Sequence, residues 1–240
     1  EIDEPHFSIW LRHIANMQTE LVADGALILK FFLHTPAKEQ KKKLKKAAKD
    51  PHAGWQVDQR DWAALDSLGP VLPIAERILR ETSGPGAPWT IVESTDPRYR
   101  DLTVARTILA ALTARLAQRP GPLGPALAES VFGDFDAEAN VLSGIDLTKT
   151  LSGQEYRAQL AKEQAKLKKL SLEARRRGVS SVLAFEGWDA AGKGGVIRRI
   201  TGALEAGDYR VIPVAAPTEE ERRYHYLWRF WRDLQPAGKV

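Results

Sequence analysis

Residues 181–195 read Ser-Val-Leu-Ala-Phe-Glu-Gly-Trp-Asp-Ala-Ala-Gly-Lys-Gly-Gly. An apolar run, Val182 to Phe185, leads into Gly187-x4-Gly192-Lys193, and Val196, Ile197, Ile200 and Leu204 follow at helical spacing. Strand, glycine-rich loop and helix in that order form a phosphate-binding arrangement. Small residues let successive backbone N–H groups curl around an anion, and the helix opening near Lys193 points its positive end at the same spot. Lys193 adds a mobile cation for the outer phosphates. The candidate phosphate-binding residues are therefore Gly187, Ala190, Ala191, Gly192, Lys193, Gly194 and Gly195.

The loop departs from the common form at one position. Gly194 stands where a Ser or Thr hydroxyl usually holds Mg²⁺, while Asp189 lies four residues before Lys193. A carboxylate is a hard oxygen ligand suited to Mg²⁺. Asp189 is accordingly the candidate metal ligand and, with Lys193, the candidate catalytic pair. Its alternative use is as a cap of the turn through its own backbone, and the loop by itself leaves both open.

Composition narrows the classes. The chain has 240 residues, 43% hydrophobic and 28% charged, which is the balance of a globular protein rather than a disordered one. The longest apolar run, Ala26 to Leu33, is broken by Lys30, so no membrane span is expected. The first residues are charged and lack a signal-peptide core. With no cysteine there is no disulfide, thiolate metal site or cysteine nucleophile, which fits a reducing, cytoplasmic setting. A formal charge of +4 is too small to argue for nucleic acid, so any polyanion preference must come from local clustering.

Working outward, His6 to Ala23 is expected as an amphipathic helix with Ile9, Trp10, Ile14, Met17 and Leu21 on one face, ended by Asp24-Gly25. Ala26 to Leu33 follows as a buried strand, then the lysine-rich stretch Lys38 to Lys49, a helix from about Val71 to Glu81, and a strand at Trp89 to Glu93. Ala105, Ile108, Leu109, Leu112 and Leu116 mark the face of a further helix. Strand and helix alternate, the pattern of a parallel sheet. Residues 120–150 form a breaker-rich linker opening on Pro120-Gly121-Pro122, with Phe132, Phe135 and Leu142 as apolar anchors. A long helix from about Gln154 to Arg177 precedes the loop. A strand at Tyr209 to Val214 and a last helix come after it. That helix opens on the capping box Thr218-x2-Glu221, buries Tyr224, Leu227, Trp228 and Trp231, and carries His225, Arg229 and Arg232 on another face. Arg229, between Trp228 and Phe230, is the candidate to meet a ligand; His225 reads as structural, with no second histidine or carboxylate partner in view.

Phe185-Glu-Gly-Trp-Asp-Ala-Ala-Gly-Lys-Gly-Gly-x-Ile-Arg-Arg, then Ala216-Pro-Thr-x-Glu-Glu and Leu227-Trp-Arg-Phe-Trp-Arg, resemble the polyphosphate kinase 2 family over residues ~153–240. The earlier stretches Asp24-Gly-Ala-Leu-Ile-Leu-Lys-Phe-Phe-Leu-His, Glu39-Gln-Lys-Lys, Asp50-Pro and Ala87-Pro-Trp-Thr-Ile-Val-Glu are similar to the C-terminal half of such a domain. The resemblance implies a P-loop kinase-like, three-layer αβα fold with a parallel sheet, as two partial domains. Residues 1–119 would end a first, degenerate domain and 151–240 begin a second. Both ends read as cut, so a fragment is the simplest account, and tandem duplication resembles the polyphosphate:AMP phosphotransferase type.

By that resemblance Asp189 and Lys193 handle Mg²⁺ and the transferring phosphate, and Arg198 and Arg199 are candidates for holding polyphosphate, with ordinary helix surface charge as the alternative. Arg229, from its place between aromatics, joins them as a polyphosphate-binding candidate. The implied partners are polyphosphate and AMP or ADP, without nucleic acid or membrane, and a homo-oligomer is left open. An Asp-Arg-Ser stretch of the family would lie past Val240, so residues 1–240 are expected to bind polyphosphate weakly and to catalyse nothing. The first segment departs from active lids. Lys38 to Lys49 has seven lysines and no arginine, and Gln56 follows Trp55 where the family often has lysine. Lysine is a poorer fork for phosphate than arginine. Two other classes stay open: a P-loop nucleotide or small-molecule kinase using ATP, and a non-catalytic polyanion-binding scaffold.

Overall fold

A computed structural model describes residues 4–49, 59–117, 142 and 144–240. Its centre is a three-stranded parallel sheet of β1 (Leu27–His34), β2 (Trp89–Glu93) and β3 (Ser181–Gly187), in the order β2-β1-β3. The middle strand has both faces covered, and its sequence is accordingly a nearly unbroken apolar run. Residues 27–33 of β1 pair in register with 181–187 of β3, and Phe31 stacks on Phe185 with ring centroids 5.2 Å apart. A strand from the first segment thus shares one sheet with the strand that leads into the phosphate loop. The fold is α/β.

Alternation along β1 sorts the core into two layers. Leu27, Phe31 and Leu33 face one layer, built with α5 (Pro97–Ala117), α6 (Gly153–Arg176) and α7 (Lys193–Thr201), where Val104, Ile108, Leu112, Leu167, Val196 and Ile200 are buried. Phe32 faces the other, with Ala75 and Leu79 of α4 (Leu68–Glu81), Trp89 and Leu142. Helices α1 (Glu4–Ala23), α2 (Ala37–Ala48), α3 (Gln59–Asp66) and α8 (Trp228–Trp231) complete the set. The expected apolar face of α1 is displaced: Leu11 is its buried residue and Ile9 is exposed. Of the linker anchors, Leu142 is buried, whereas Phe132 and Phe135, like Trp55 and Gln56, lie outside the described residues.

Two expectations fail after α7. Tyr209 to Val214 is not a strand: Val211, Ile212 and Val214 are exposed. Arg210 N–H donates to Val240 O (3.0 Å) and Val240 N–H to Asp208 O (2.9 Å), but the pairing does not continue along 211–214, and an apolar stretch without a partner strand does not hold a β ladder. The last helix is also broken. The capping box forms, with Thr218 N–H on Glu221 Oε2 (2.8 Å) and Glu221 N–H on Thr218 Oγ1 (3.2 Å). The chain then makes only a single 3₁₀ turn, Glu221–Arg223, goes extended at Tyr224, and becomes helical again at Trp228. Leu227 is buried as expected, but Tyr224 and Trp231 are exposed. Aromatic packing on α1 replaces the missing helix turns: Tyr226 stacks on Trp10 at 5.4 Å, and His225 Nε2 lies 3.1 Å from His13 Nδ1, the histidine partner absent from the sequence reading.

Lys30 is the exception inside β1. Its ammonium donates to Thr82 O (2.6 Å) and Gln18 Oε1 (2.9 Å) and lies 4.9 Å from the Trp89 ring centroid. Burial lowers its pKa from 10.5 to about 7. Between those values the unfolded chain binds a proton that the folded chain does not, so stability rises with pH there, and below pH 7 this contribution is flat. At ~1.4 kcal/mol per pH unit the upper limit is about 5 kcal/mol. Urea unfolding of wild type and Lys30→Met at a series of pH values checks this. The wild-type midpoint should climb from neutral to alkaline pH, and the variant should lose most of that climb.

Candidate functional site

The loop forms where β3 runs out of the sheet at the carboxyl ends of the strands, the ligand-binding edge of parallel α/β folds. Gly187 has φ +147°, and a Cβ there would sit 2.5 Å from Leu33 O of β1, so the first loop residue must be glycine for the strands to pair this closely. Gly192, at φ +91°, caps α7. A Cβ on it would fall 1.7 Å from Arg100 Nη1. Ala190 is the one non-glycine residue with positive φ among the described residues, at 58°. That costs roughly 1 kcal/mol and marks the loop as held in shape by its surroundings.

Those surroundings are specific. Lys193 Nζ donates to Gly187 O (2.6 Å) and Trp188 O (3.1 Å), closing the loop across its mouth. Trp188 Nε1 donates to His34 Nδ1 (3.3 Å), and its ring meets Phe32 edge-on at 5.5 Å. Burial lowers the His34 pKa, which keeps the imidazole neutral and able to accept that bond. Asp189 is exposed at the loop's tip, and Gly194 and Gly195 open α7 beside Lys193.

The three candidate arginines fare differently. Arg198 is exposed on α7. Arg199 Nε meets Asp101 Oδ2 (2.5 Å) and Tyr156 OH (2.6 Å), and its Nη1 donates to Gly195 O (2.9 Å). Arg229 donates to Ala215 O (3.0 Å) and pairs with Glu221 at 3.6 Å. Arg199 and Arg229 are thus engaged with protein groups, while Arg198 faces water.

Sequence reasoning missed what the first segment brings to this edge. Arg100 and Asp101, both buried, open α5 directly after β2. Arg100 Nη1 donates to Ala191 O of the loop (3.0 Å), and its Nε and Nη2 fork onto Asp101 Oδ1 (3.0 and 2.8 Å). Asp101 Oδ2 also accepts from Tyr156 OH (2.9 Å). Lys43 of α2 donates to Ser94 O (2.9 Å). Burial, helped by the Arg100 charge, holds its pKa below the usual lysine value against the opposing pull of Glu93 and Glu39. The signal that could have found these residues is Asp96-Pro-Arg-Tyr-Arg-Asp101, a charged stretch at the carboxyl end of a parallel strand.

The polyphosphate kinase 2 (PPK2) family model matches residues 2–120 and 150–240. The chain belongs to this family. It is 44% identical over 219 residues to a polyphosphate:AMP phosphotransferase of Pseudomonas aeruginosa, covering 91% of this chain and 44% of that one. A second polyphosphate:AMP phosphotransferase, from Pseudomonas syringae pv. tomato, is 39% identical over 223 residues, covering 93% and 45%. A solved polyphosphate kinase 2 structure from Pseudomonas aeruginosa is 37% identical, with 99% of this chain and 43% of that chain covered and a TM-score of 0.41. The chain spans less than half the length of these relatives. Among the described residues no helix is long and apolar enough to cross a membrane, and no group of three or more His, Cys, Asp or Glu side chains could hold a metal ion.

Proposed function

We propose that residues 1–240 belong to a cytoplasmic polyphosphate-dependent phosphotransferase that moves a phosphoryl group from polyphosphate to a nucleotide, AMP to ADP. In this reading 1–119 and 151–240 are the adjoining halves of two kinase-like domains, joined by 120–150. The observation that carries it is the Gly187–Gly195 loop, with Lys193 opening α7, in a chain of the polyphosphate kinase 2 family. The two relatives named above, both polyphosphate:AMP phosphotransferases, supply the donor and the acceptor of the proposal.

Phosphoryl transfer asks the protein for position and charge more than for covalent chemistry. The loop amides and the N-terminus of α7 cradle phosphate oxygens. Lys193 exchanges the carbonyls of Gly187 and Trp188 for them, and Arg198 reaches the outer chain. Mg²⁺ fits the loop on its chemistry, because such an ion takes one or two carboxylates and fills its shell with phosphate oxygens and water. Asp189 would hold it, and the ion when bound would neutralise charge on the transferring group.

The deciding experiment offers AMP and Mg²⁺ to the full-length enzyme with either polyphosphate or ATP as donor. ADP formed at the expense of polyphosphate is the expected result; transfer from ATP alone would overturn the reading. In the same assay Asp189→Asn should abolish Mg²⁺-dependent turnover while leaving polyphosphate binding in the absence of metal unchanged or slightly tighter, since a negative charge is lost beside a polyanion. Unaltered Mg²⁺ dependence would make Asp189 a turn residue.

A further inference from the structure

We infer that Arg100 is a positioning residue for the phosphate loop, fixed by Asp101, and that the first segment thereby sets the loop's affinity for phosphate without touching it. The inference rests on the phosphate-binding reading of the loop. Arg100 is buried, and its guanidinium has two assignments: one nitrogen holds Ala191 O, and two others fork onto Asp101. The space it fills is the space a side chain at Gly192 would need, and a Cβ on Gly195 would come within 3.2 Å of its Nη2. The loop thus packs against Nη1 and accepts its N–H, while Nε and Nη2 point to Asp101.

Burial and engaged donors, not charge, argue against the simpler role of a phosphate ligand. The Asp101 carboxylate is buried and shared by Arg100, Arg199 and the Tyr156 hydroxyl, so one negative charge faces two guanidiniums, and Arg100 is held by protein groups through all three of its nitrogens. What Arg100 supplies is direction: a fork is rigid where an ammonium is not. It ties α5 to the loop, and through Asp101 it also ties in α6 (by Tyr156) and α7 (by Arg199). Pulling on Ala191 O sets the peptide plane just ahead of Gly192, and with it the amides that open α7.

The test measures tripolyphosphate binding to the full-length enzyme by calorimetry across a salt series. Each lysine or arginine that contacts phosphate contributes to the salt slope, because contact releases counterions. Arg100→Met should bind about tenfold more weakly, the loss expected for a hydrogen bond to a charged group, with the wild-type salt slope. Arg100→Lys should be as weak, because it keeps the charge and loses the fork. Lys193→Ala should instead flatten the slope. Rescue by Arg100→Lys, or a flattened slope in Arg100→Met, would make Arg100 a direct ligand and overturn the inference. Wild-type affinity in both Arg100 variants would overturn it as well. Unchanged binding in Lys193→Ala would strike the phosphate-loop reading itself. Should Arg100→Met fail to fold, Asp101→Asn carries the test, since it keeps the shape of the partner and removes its charge. It should weaken binding at unchanged slope, with faster amide exchange at 190–195 and unchanged exchange in β1; normal binding there would overturn the inference.

Discussion

Replacing Lys193 by alanine in the full-length enzyme is expected to lower turnover at least 10²-fold while leaving the fold intact. Removing one preorganised charge from a transferring phosphoryl group costs ~3 kcal/mol or more of transition-state stabilisation. The fold should survive because, among the described residues, Lys193 gives two hydrogen bonds, both to loop carbonyls, and its side chain is not part of either apolar layer. Turnover with polyphosphate and AMP, measured beside a thermal melt, checks both halves of the statement. A folded variant with wild-type turnover would remove the loop from the chemistry.

Gly192→Ala is expected to be strongly destabilising. The residue lies at φ +91°, where a Cβ is strained by roughly 1–2 kcal/mol. The added carbon would also fall on the Arg100 guanidinium, which is pinned by Ala191 O and Asp101 and has nowhere to swing. Breaking that buried pair costs about 3–5 kcal/mol. Urea unfolding should show a loss of several kcal/mol, and tripolyphosphate binding should fall with it. Arg100→Ala made in the same background should cost less than Arg100→Ala alone, because the clash is then already relieved. Additive losses would mean that the two residues do not compete for the same space.

The loop was legible because everything that defines it is local. Small residues, a lysine and a following apolar helix face all lie within Ser181 to Leu204, and no distant partner is needed to specify them. The strand at Trp89 to Glu93 was legible for the same reason and has the expected bounds. Tyr209 to Val214 misled because β-prone residues do not specify a neighbour, and the ladder that makes a strand is a tertiary fact. The last helix misled through its aromatics. Their spacing suits a helix, but Tyr224 is extended and Tyr226 stacks on Trp10 of α1 instead. Arg100 and Asp101 stayed hidden because charged residues at the start of a helix default to solvent. Only the arrival of β3 beside β1 places a carbonyl, a tyrosine and a second arginine around them.

The pairing of β3 with β1 also dictates an order of events. About 150 residues of chain separate the two strands, so their contact closes one of the longest loops the molecule has to close. Local structure, α5 and α6 among it, can form within microseconds, whereas pairing between distant strands is slow. Gly187 gains its close seat against Leu33, and Ala191 its guanidinium, only after that closure. Capacity to bind phosphate should therefore appear late during refolding, trailing the helical signal, as a clock that reads when two remote stretches of one chain have met.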